Sequence, residues 1–123
     1  MSDNVVDFSR LVGPEVSTRS FSKGDTIFRE GEQGDEFFVV VRGKVEIRSA
    51  NRRLETVGAK GIFGEMALID DSPRSATVVA LTAVTVAPIK EMQFLFLVKH
   101  MPMFALMVMR VLAYRLRNQN MAV

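Results

Sequence analysis

Between residues 15 and 88 the chain runs as short β-prone segments separated by glycine-bearing turns, a texture that few architectures accept. The segments are 16–21, 25–28, 36–42, 44–49, 53–57, 76–80 and 82–87. Between them lie Lys23-Gly24-Asp25, Glu30-Gly31-Glu32-Gln33-Gly34-Asp35, Arg42-Gly43-Lys44, Ser49-Ala50-Asn51 and Lys60-Gly61. Many short strands at regular spacing, each closed by turn residues, indicate an antiparallel sandwich or barrel. In 44–49, Val45 and Ile47 alternate with Glu46 and Arg48, which predicts a strand with one wet face. The run Phe37 to Val41 is apolar throughout and predicts a strand covered on both sides.

After Pro88 the texture turns helical. Residues 90–99 carry Met92, Leu95, Phe96 and Val98 with neither Gly nor Pro. Pro102 then stands where proline is tolerated, in the first turn of a second helix predicted over 102–118. The first half of that helix is apolar nearly all round, so it needs cover on more than one side. Its methionines, 101, 103, 107 and 109, read as core, with a docking surface as the other reading. Its second half is amphipathic and basic. There Arg110, Arg115 and Arg117 lack acidic neighbours in sequence and read as a solvated face rather than a phosphate-contacting one. Ahead of the strands, residues 1–14 form a short helix or loose arm ended by Gly13-Pro14.

Composition narrows the class. With 123 residues, 48% hydrophobic and 24% charged, the chain suits one domain over 1–123 that folds without staples. It has 0 cysteines, hence no disulfide framework, thiolate metal site or cysteine nucleophile. No secretory leader is visible, and the apolar run from Met101 to Met109 is broken by Pro102 and far short of the roughly 20 residues a membrane span needs. The expected location is therefore cytoplasmic. A net charge of +2, with acids interspersed among the bases, gives no reason to expect nucleic acid as a partner.

One stretch breaks the β texture: Phe63-Gly64-Glu65-Met66-Ala67-Leu68-Ile69-Asp70-Asp71-Ser72-Pro73-Arg74-Ser75-Ala76-Thr77. Gly64 lets the backbone approach a guest closely. Residues 65–69 can then make a turn or two of helix whose first N–H groups are unsatisfied, the usual makings of an anion cradle. Asp70 to Pro73 stops that helix, and Arg74 follows at the mouth of the next strand. An Arg fork matches phosphate with two parallel charge-assisted bonds. Glu65 would repel phosphate, so it suits another part of the same guest, such as a sugar hydroxyl that donates to it. Cradle, fork and hydroxyl acceptor together point to a phosphorylated sugar or a nucleotide.

The stretch resembles the phosphate-binding cassette of the cyclic-nucleotide-binding domain family. That family includes the catabolite activator protein, regulatory subunits of cAMP-dependent protein kinase and cyclic-nucleotide-gated channels. Its pattern is Phe-Gly-Glu, an apolar and a small residue, an apolar pair, a short loop, then Pro-Arg, a small residue, Ala and Thr, and 63–77 matches throughout. A weaker match is the hairpin 31–35 leading into Phe37 to Val41 and Gly43; Phe28, just before it, stands where a smaller aliphatic residue is usual. The resemblance covers roughly 16–118. It implies a mainly β fold: an antiparallel, jelly-roll-like β-roll over 15–88, a short helix inside the cassette and C-terminal helices over 90–120. It also implies a non-catalytic cyclic-nucleotide receptor.

Carried over by position, the resemblance assigns the ligand site to Phe63, Gly64, Glu65, Met66, Ala67, Arg74, Ser75 and Ala76. Glu65 should accept from the ribose 2′-hydroxyl and Arg74 should pair with the exocyclic phosphate oxygens. Backbone N–H groups around Met66, Ala67 and Ser75 should complete the cradle. Ser75 stands where Thr favours cGMP and Ala or Ser is typical of cAMP binders, which inclines the expectation to cAMP without excluding cGMP. Ile47, Leu54 and Val57 are the base-pocket candidates, and Met107, Arg110 and Tyr114 the lid candidates on the last helix.

Taken alone, Glu65 and Arg74 would be a surface ion pair of little worth, and Gly64 a turn glycine. Their spacing within the fifteen-residue match argues otherwise. His100 has no companion ligand and reads as structural, so a jelly-roll metalloenzyme is not expected. Neither is any other enzyme, for want of a nucleophile–base pair. A catabolite-activator-type regulator would need a helix-turn-helix beyond the last helix, where this sequence stops at Val123. The output is then expected through a protein partner or a homodimer along the last helix. The alternative is a regulatory fragment or subunit of a larger cyclic-nucleotide-controlled transcription factor, channel or kinase.

Overall fold

The computed structural model describes Phe8, residues 16–50 and residues 52–119, the last by its backbone only. The rest of the predicted N-terminal arm, Asn51 and the chain beyond residue 119 lie outside the described residues. Eight strands and three helices follow in the order β1 (Arg19–Phe21), β2 (Thr26–Phe28), β3 (Glu36–Arg42), β4 (Val45–Ser49), β5 (Arg52–Val57), β6 (Ile62–Phe63), α1 (Met66–Ile69), β7 (Thr77–Ala80), β8 (Val84–Lys90), α2 (Glu91–His100) and α3 (Pro102–Gln119). The strands form two four-stranded sheets ordered β1-β8-β3-β6 and β2-β7-β4-β5, with every pairing antiparallel. This is the expected jelly-roll-like roll, with the short helix inserted and two helices after it.

Two apolar cores share β3. Phe38 and Val40 point into the roll, where they meet Phe28, Val45, Phe63, Val78 and Val86. Phe37 and Val39 point out of it and pack with Ile62, Ala87, Ile89, Phe104, Val108 and Val111 beneath the helices. A strand buried on both faces has to be apolar at every position, as Phe37 to Val41 is. Phe104, Val108 and Val111 are one stripe of α3 at helical spacing, so the roll covers a single face of that helix.

The remaining faces of α3 are open, which corrects the reading of the methionines as core. Met101, Met103 and Met109 are exposed, Met103 to 58%, and Met107 alone of the four packs against the helix core. Among the described residues no single helix is long and apolar enough to cross a membrane.

Two further expectations are corrected, and one strand had not been read from the sequence. Glu46, expected on a wet face, is buried because Arg48 and Arg53 close over it as ion-pair partners. The strand expected to end at residue 87 runs through Pro88, which pairs with Phe38. There the neighbouring β1 has already ended, at the Arg19–Val86 pair, so the missing proline N–H breaks no ladder bond on that side. The short β6, unread in the sequence, pairs Phe63 with Phe38 and thereby sets the cassette at the edge of the roll. The helix α2 begins where Lys90 N–H donates to Gln93 Oε1 at 3.0 Å and ends as Met101 N–H donates to the Leu97 carbonyl at 2.7 Å.

Candidate functional site

The cassette is built from β6 outward. Phe63 stacks on Phe38 with ring centroids 5.0 Å apart and is fully buried in the roll, so it anchors the cassette from below. Gly64 follows with φ of +83°, a left-handed conformation that suits glycine. A Cβ there would also come within 2.9 Å of Arg74 Nη1 and 3.2 Å of the Phe28 ring. The chain then turns into the single turn of α1, from which Leu68 and Ile69 N–H donate back to the Glu65 carbonyl. At its end Asp71 takes φ of +58° and Asp70 Oδ1 accepts from Ser72 N–H at 3.1 Å, which turns the chain towards Arg74.

Arg74 is fixed from three directions. Its backbone is clamped to the glycine hairpin: its N–H donates to the Glu32 carbonyl and its own carbonyl accepts from Gly31 N–H, both at 2.8 Å. Its guanidinium lies 4.0 Å above the Phe28 ring, a cation–π placement. Its Nη1 donates to the Gly64 carbonyl at 3.0 Å. The residue is only 6% exposed, and Nε finds no acceptor. Burial lowers its pKa below the ordinary arginine value, while Glu36, Asp35, Glu32 and Glu65 pull the other way. The hairpin's glycine has a steric purpose, because a Cβ on Gly34 would sit 2.3 Å from the guanidinium. Phe28, the position that departs from the family pattern, supplies the platform.

Glu65, 4% exposed, has Oε1 occupied by Arg115 Nη1 at 2.7 Å. Arg115 comes from α3 and reaches further. Its Nε donates to Glu55 Oε1 at 2.8 Å and its Nη2 to Glu55 Oε2 at 3.4 Å, and Nη2 also donates to the Ile62 carbonyl. Burial is the largest single influence on Arg115 and would lower its pKa; Glu65 and Glu55 together outweigh it and hold the pKa above the ordinary value.

These groups border a cavity of about 680 Å³, within the range of small-molecule sites. Of the residues singled out in the sequence, Gly64, Glu65, Met66, Ala67, Arg74, Ser75 and Ala76 line it, as do Ile47 and Leu54. Phe63 lies beneath it. Val57 is buried in the roll core, and the methyl-sized gap at Gly61 is filled by its side chain, 2.7 Å from where a Cβ would stand. Met107, Arg110 and Tyr114 do not reach the lining, since the face that α3 turns to the cavity carries Leu112, Arg115 and Leu116 instead. The reading of Arg115 as solvated is thereby corrected. Its acidic partners come from β5 and the cassette, remote in sequence, so neighbours along the chain could not reveal them. Phe28, Ser49, Ala50, Arg52, Ile69 and Val78 also line the cavity without having been assigned to the site from the sequence. Among the described residues no group of three or more His, Cys, Asp or Glu is placed to hold a metal ion, and His100 lies exposed beside Phe96 with ring centroids 4.2 Å apart.

Arg74 with an unpartnered N–H, Glu65, and Leu112, Arg115 and Leu116 of α3 thus line one cavity. The profile of the cyclic nucleotide-binding domain family matches residues 18–101, and the chain belongs to that family. It is 41% identical over 80 residues to a cAMP-dependent protein kinase regulatory subunit of Debaryomyces hansenii, which covers 64% of this chain and 18% of that protein. It is 46% identical over 63 residues to a cGMP-dependent protein kinase of Plasmodium berghei, covering 51% of this chain and 7% of that one. It therefore spans a small part of the length of these curated relatives. Among solved structures, the catabolite activator protein of Thermus thermophilus superposes with a TM-score of 0.77 at 30% identity, over 87% of this chain and 53% of that one.

Proposed function

We propose that the chain is a non-catalytic cyclic-nucleotide receptor that takes cAMP in preference to cGMP and passes the binding event to α2 and α3. The observation that carries this reading is the state of Arg74: buried, held in place by Phe28 and the Gly64 carbonyl, and left with an unpartnered N–H. Such a cation is built for an anion that brings acceptors with it. In this reading Arg74 grips the exocyclic phosphate oxygens, and backbone N–H groups around Met66, Ala67 and Ser75 complete the cradle. Glu65 accepts from the ribose 2′-hydroxyl. The base lies against Ile47 and Leu54, with Leu112 and Leu116 of α3 closing over it.

The base preference rests on Ser75, because the named relatives include both cAMP-dependent and cGMP-dependent kinases. For regulation the ligand must favour one arrangement of the helices over another, since affinity alone shifts nothing. The output in this reading goes to a partner protein or a second copy on the exposed apolar face of α3, around Met103, Leu106 and Met109.

Calorimetric titration with cAMP and cGMP, on the wild type and on Arg74→Ala, tests the proposal. Removing one side of a buried charge-assisted contact costs about 2–5 kcal/mol, so the dissociation constant should weaken more than about tenfold. Binding that survives the substitution unchanged, or no heat from folded wild type with either nucleotide, would overturn the reading.

A further inference from the structure

We propose that Glu55 and Arg115 form a lock that holds the second half of α3 over the cavity by the chain's own charges, and that Glu55 sets how far that helix stays docked without nucleotide. The argument begins with how the Arg115 fork is shared. Glu55 takes two of its nitrogens, Nε and Nη2, at 2.8 and 3.4 Å, whereas Glu65 takes Nη1 alone, at 2.7 Å. The two-point contact thus goes to β5, outside the cassette. All three oxygen-bearing partners, Glu55, Glu65 and the Ile62 carbonyl, belong to the roll side of the cavity, while the guanidinium alone comes from the helix.

The position of the pair along α3 gives the lock its reach. The first half of the helix is fixed by Phe104, Val108 and Val111 in the apolar core. Beyond Val111, Leu112 is partly buried against that core, Leu116 is 62% exposed, and Arg115 supplies hydrogen bonds to the roll. Residues 112–118 therefore depend on charge where residues 104–111 depend on burial.

The lock also bears on how a ligand and the helix share Glu65, a point that rests on the receptor reading above. A hydroxyl that donates to Glu65 contends with one Arg115 N–H, and Arg115 keeps its two-point grip on Glu55 throughout. Occupancy of the cavity then favours the docked arrangement, which the lock alone populates only in part. Without Glu55 the helix would be tied through Ile62 and Glu65 alone, and its docking would follow the cassette and whatever the cassette binds.

Amide hydrogen exchange on the purified protein tests this, with rates in 112–118 read relative to those in β3. The variants are Glu55→Gln, which is isosteric and uncharged, Arg115→Met, and the two combined, each with no nucleotide and with saturating cAMP or cGMP. Glu55→Gln should speed exchange in 112–118 about tenfold without nucleotide, the order expected for a lost hydrogen bond between charged groups, and leave 104–108 unchanged. Nucleotide should return the variant to within about twofold of wild type, and Glu55→Gln should add nothing once Arg115 is Met. Equal relative rates in wild type and Glu55→Gln, or the same acceleration in the Arg115→Met background, would overturn the lock. If neither nucleotide changes any variant, the receptor reading fails, while the comparison without nucleotide still judges the lock.

Discussion

Replacing Gly34 with alanine should cripple anion binding and leave the fold standing. The added Cβ would lie 2.3 Å from both Arg74 Cζ and Nε and 2.4 Å from Nη2, far inside contact distance. Something must move, and the yielding partner is the far end of a long side chain rather than backbone. Arg74 would swing off the Phe28 ring and away from the Gly64 carbonyl. The stability cost is then the lost stacking, about 0.5–2 kcal/mol. It is offset by about 0.4–1 kcal/mol from the stiffer unfolded chain, because Gly34 does not hold a left-handed φ. Net destabilisation should stay near or below about 1 kcal/mol, but a misplaced phosphate anchor forfeits about 2–5 kcal/mol of binding. Calorimetry with cAMP should show affinity weakened at least about thirtyfold, the 2 kcal/mol end of that range at 1.36 kcal/mol per decade, and urea unfolding should shift little. Wild-type affinity in a folded Gly34→Ala protein would refute the claim that Arg74 must lie against residue 34 to bind. A protein that fails to fold would refute the claim that Arg74 is the part that gives way.

Phe28→Leu should keep the roll but remove the aromatic platform, weakening nucleotide binding by up to about thirtyfold and stability by about 1–3 kcal/mol, read by calorimetry and urea unfolding. Gly64→Ala imposes both a left-handed φ and a clash with Arg74, so it should cost about 1–2 kcal/mol in unfolding and weaken binding further. Arg115→Met removes the cation held between Glu55 and Glu65, both mostly buried; unfolding experiments near neutral pH should show a loss of about 3–5 kcal/mol. The dianion 5′-AMP should bind at least about tenfold more weakly than cAMP in side-by-side titrations, since Arg74 offsets a single negative charge and the second is less well compensated.

The roll was legible because strand burial imposes patterns that neighbouring residues reveal. Phe37 to Val41 is apolar throughout because both of its faces are covered, and the glycine turns mark where chains reverse. The cassette was legible for a different reason, as a fifteen-residue run whose parts lie within reach of one another. What escaped were contacts between residues far apart in sequence. Arg115 and its partners Glu55 and Glu65 are separated by 60 and 50 positions, so an arginine without local acids looked solvated. Glu46 looked wet because alternation records which side a residue faces, not whether Arg48 and Arg53 fold over it. Phe28 stood out as a departure from a pattern, and the guanidinium stacked on it, with its contacts to the Phe38 and Phe63 rings, explains why a ring belongs there. The methionines misled because an apolar helix implies cover that these described residues do not supply.

The charges around the cavity favour a monoanion with a hydroxyl over a simple phosphate. Arg115 is neutralised by Glu55 and Glu65, and that trio carries one net negative charge. Arg74 carries one positive charge, and its direct hydrogen bond goes to a neutral carbonyl. Arg74 and the Arg115 trio thus bring charge of opposite sign to the same cavity lining. In the receptor reading, a cyclic phosphodiester would bring a single negative charge to Arg74 and leave its sugar hydroxyl for Glu65. A phosphate monoester would bring a second negative charge close to Arg74, and the cost of an uncompensated charge grows as the dielectric falls. Selection for the cyclic ligand would then follow from the same arrangement that ties α3 to the roll, because turning Arg115 towards a dianion would break its hydrogen bonds to Glu55 and Glu65.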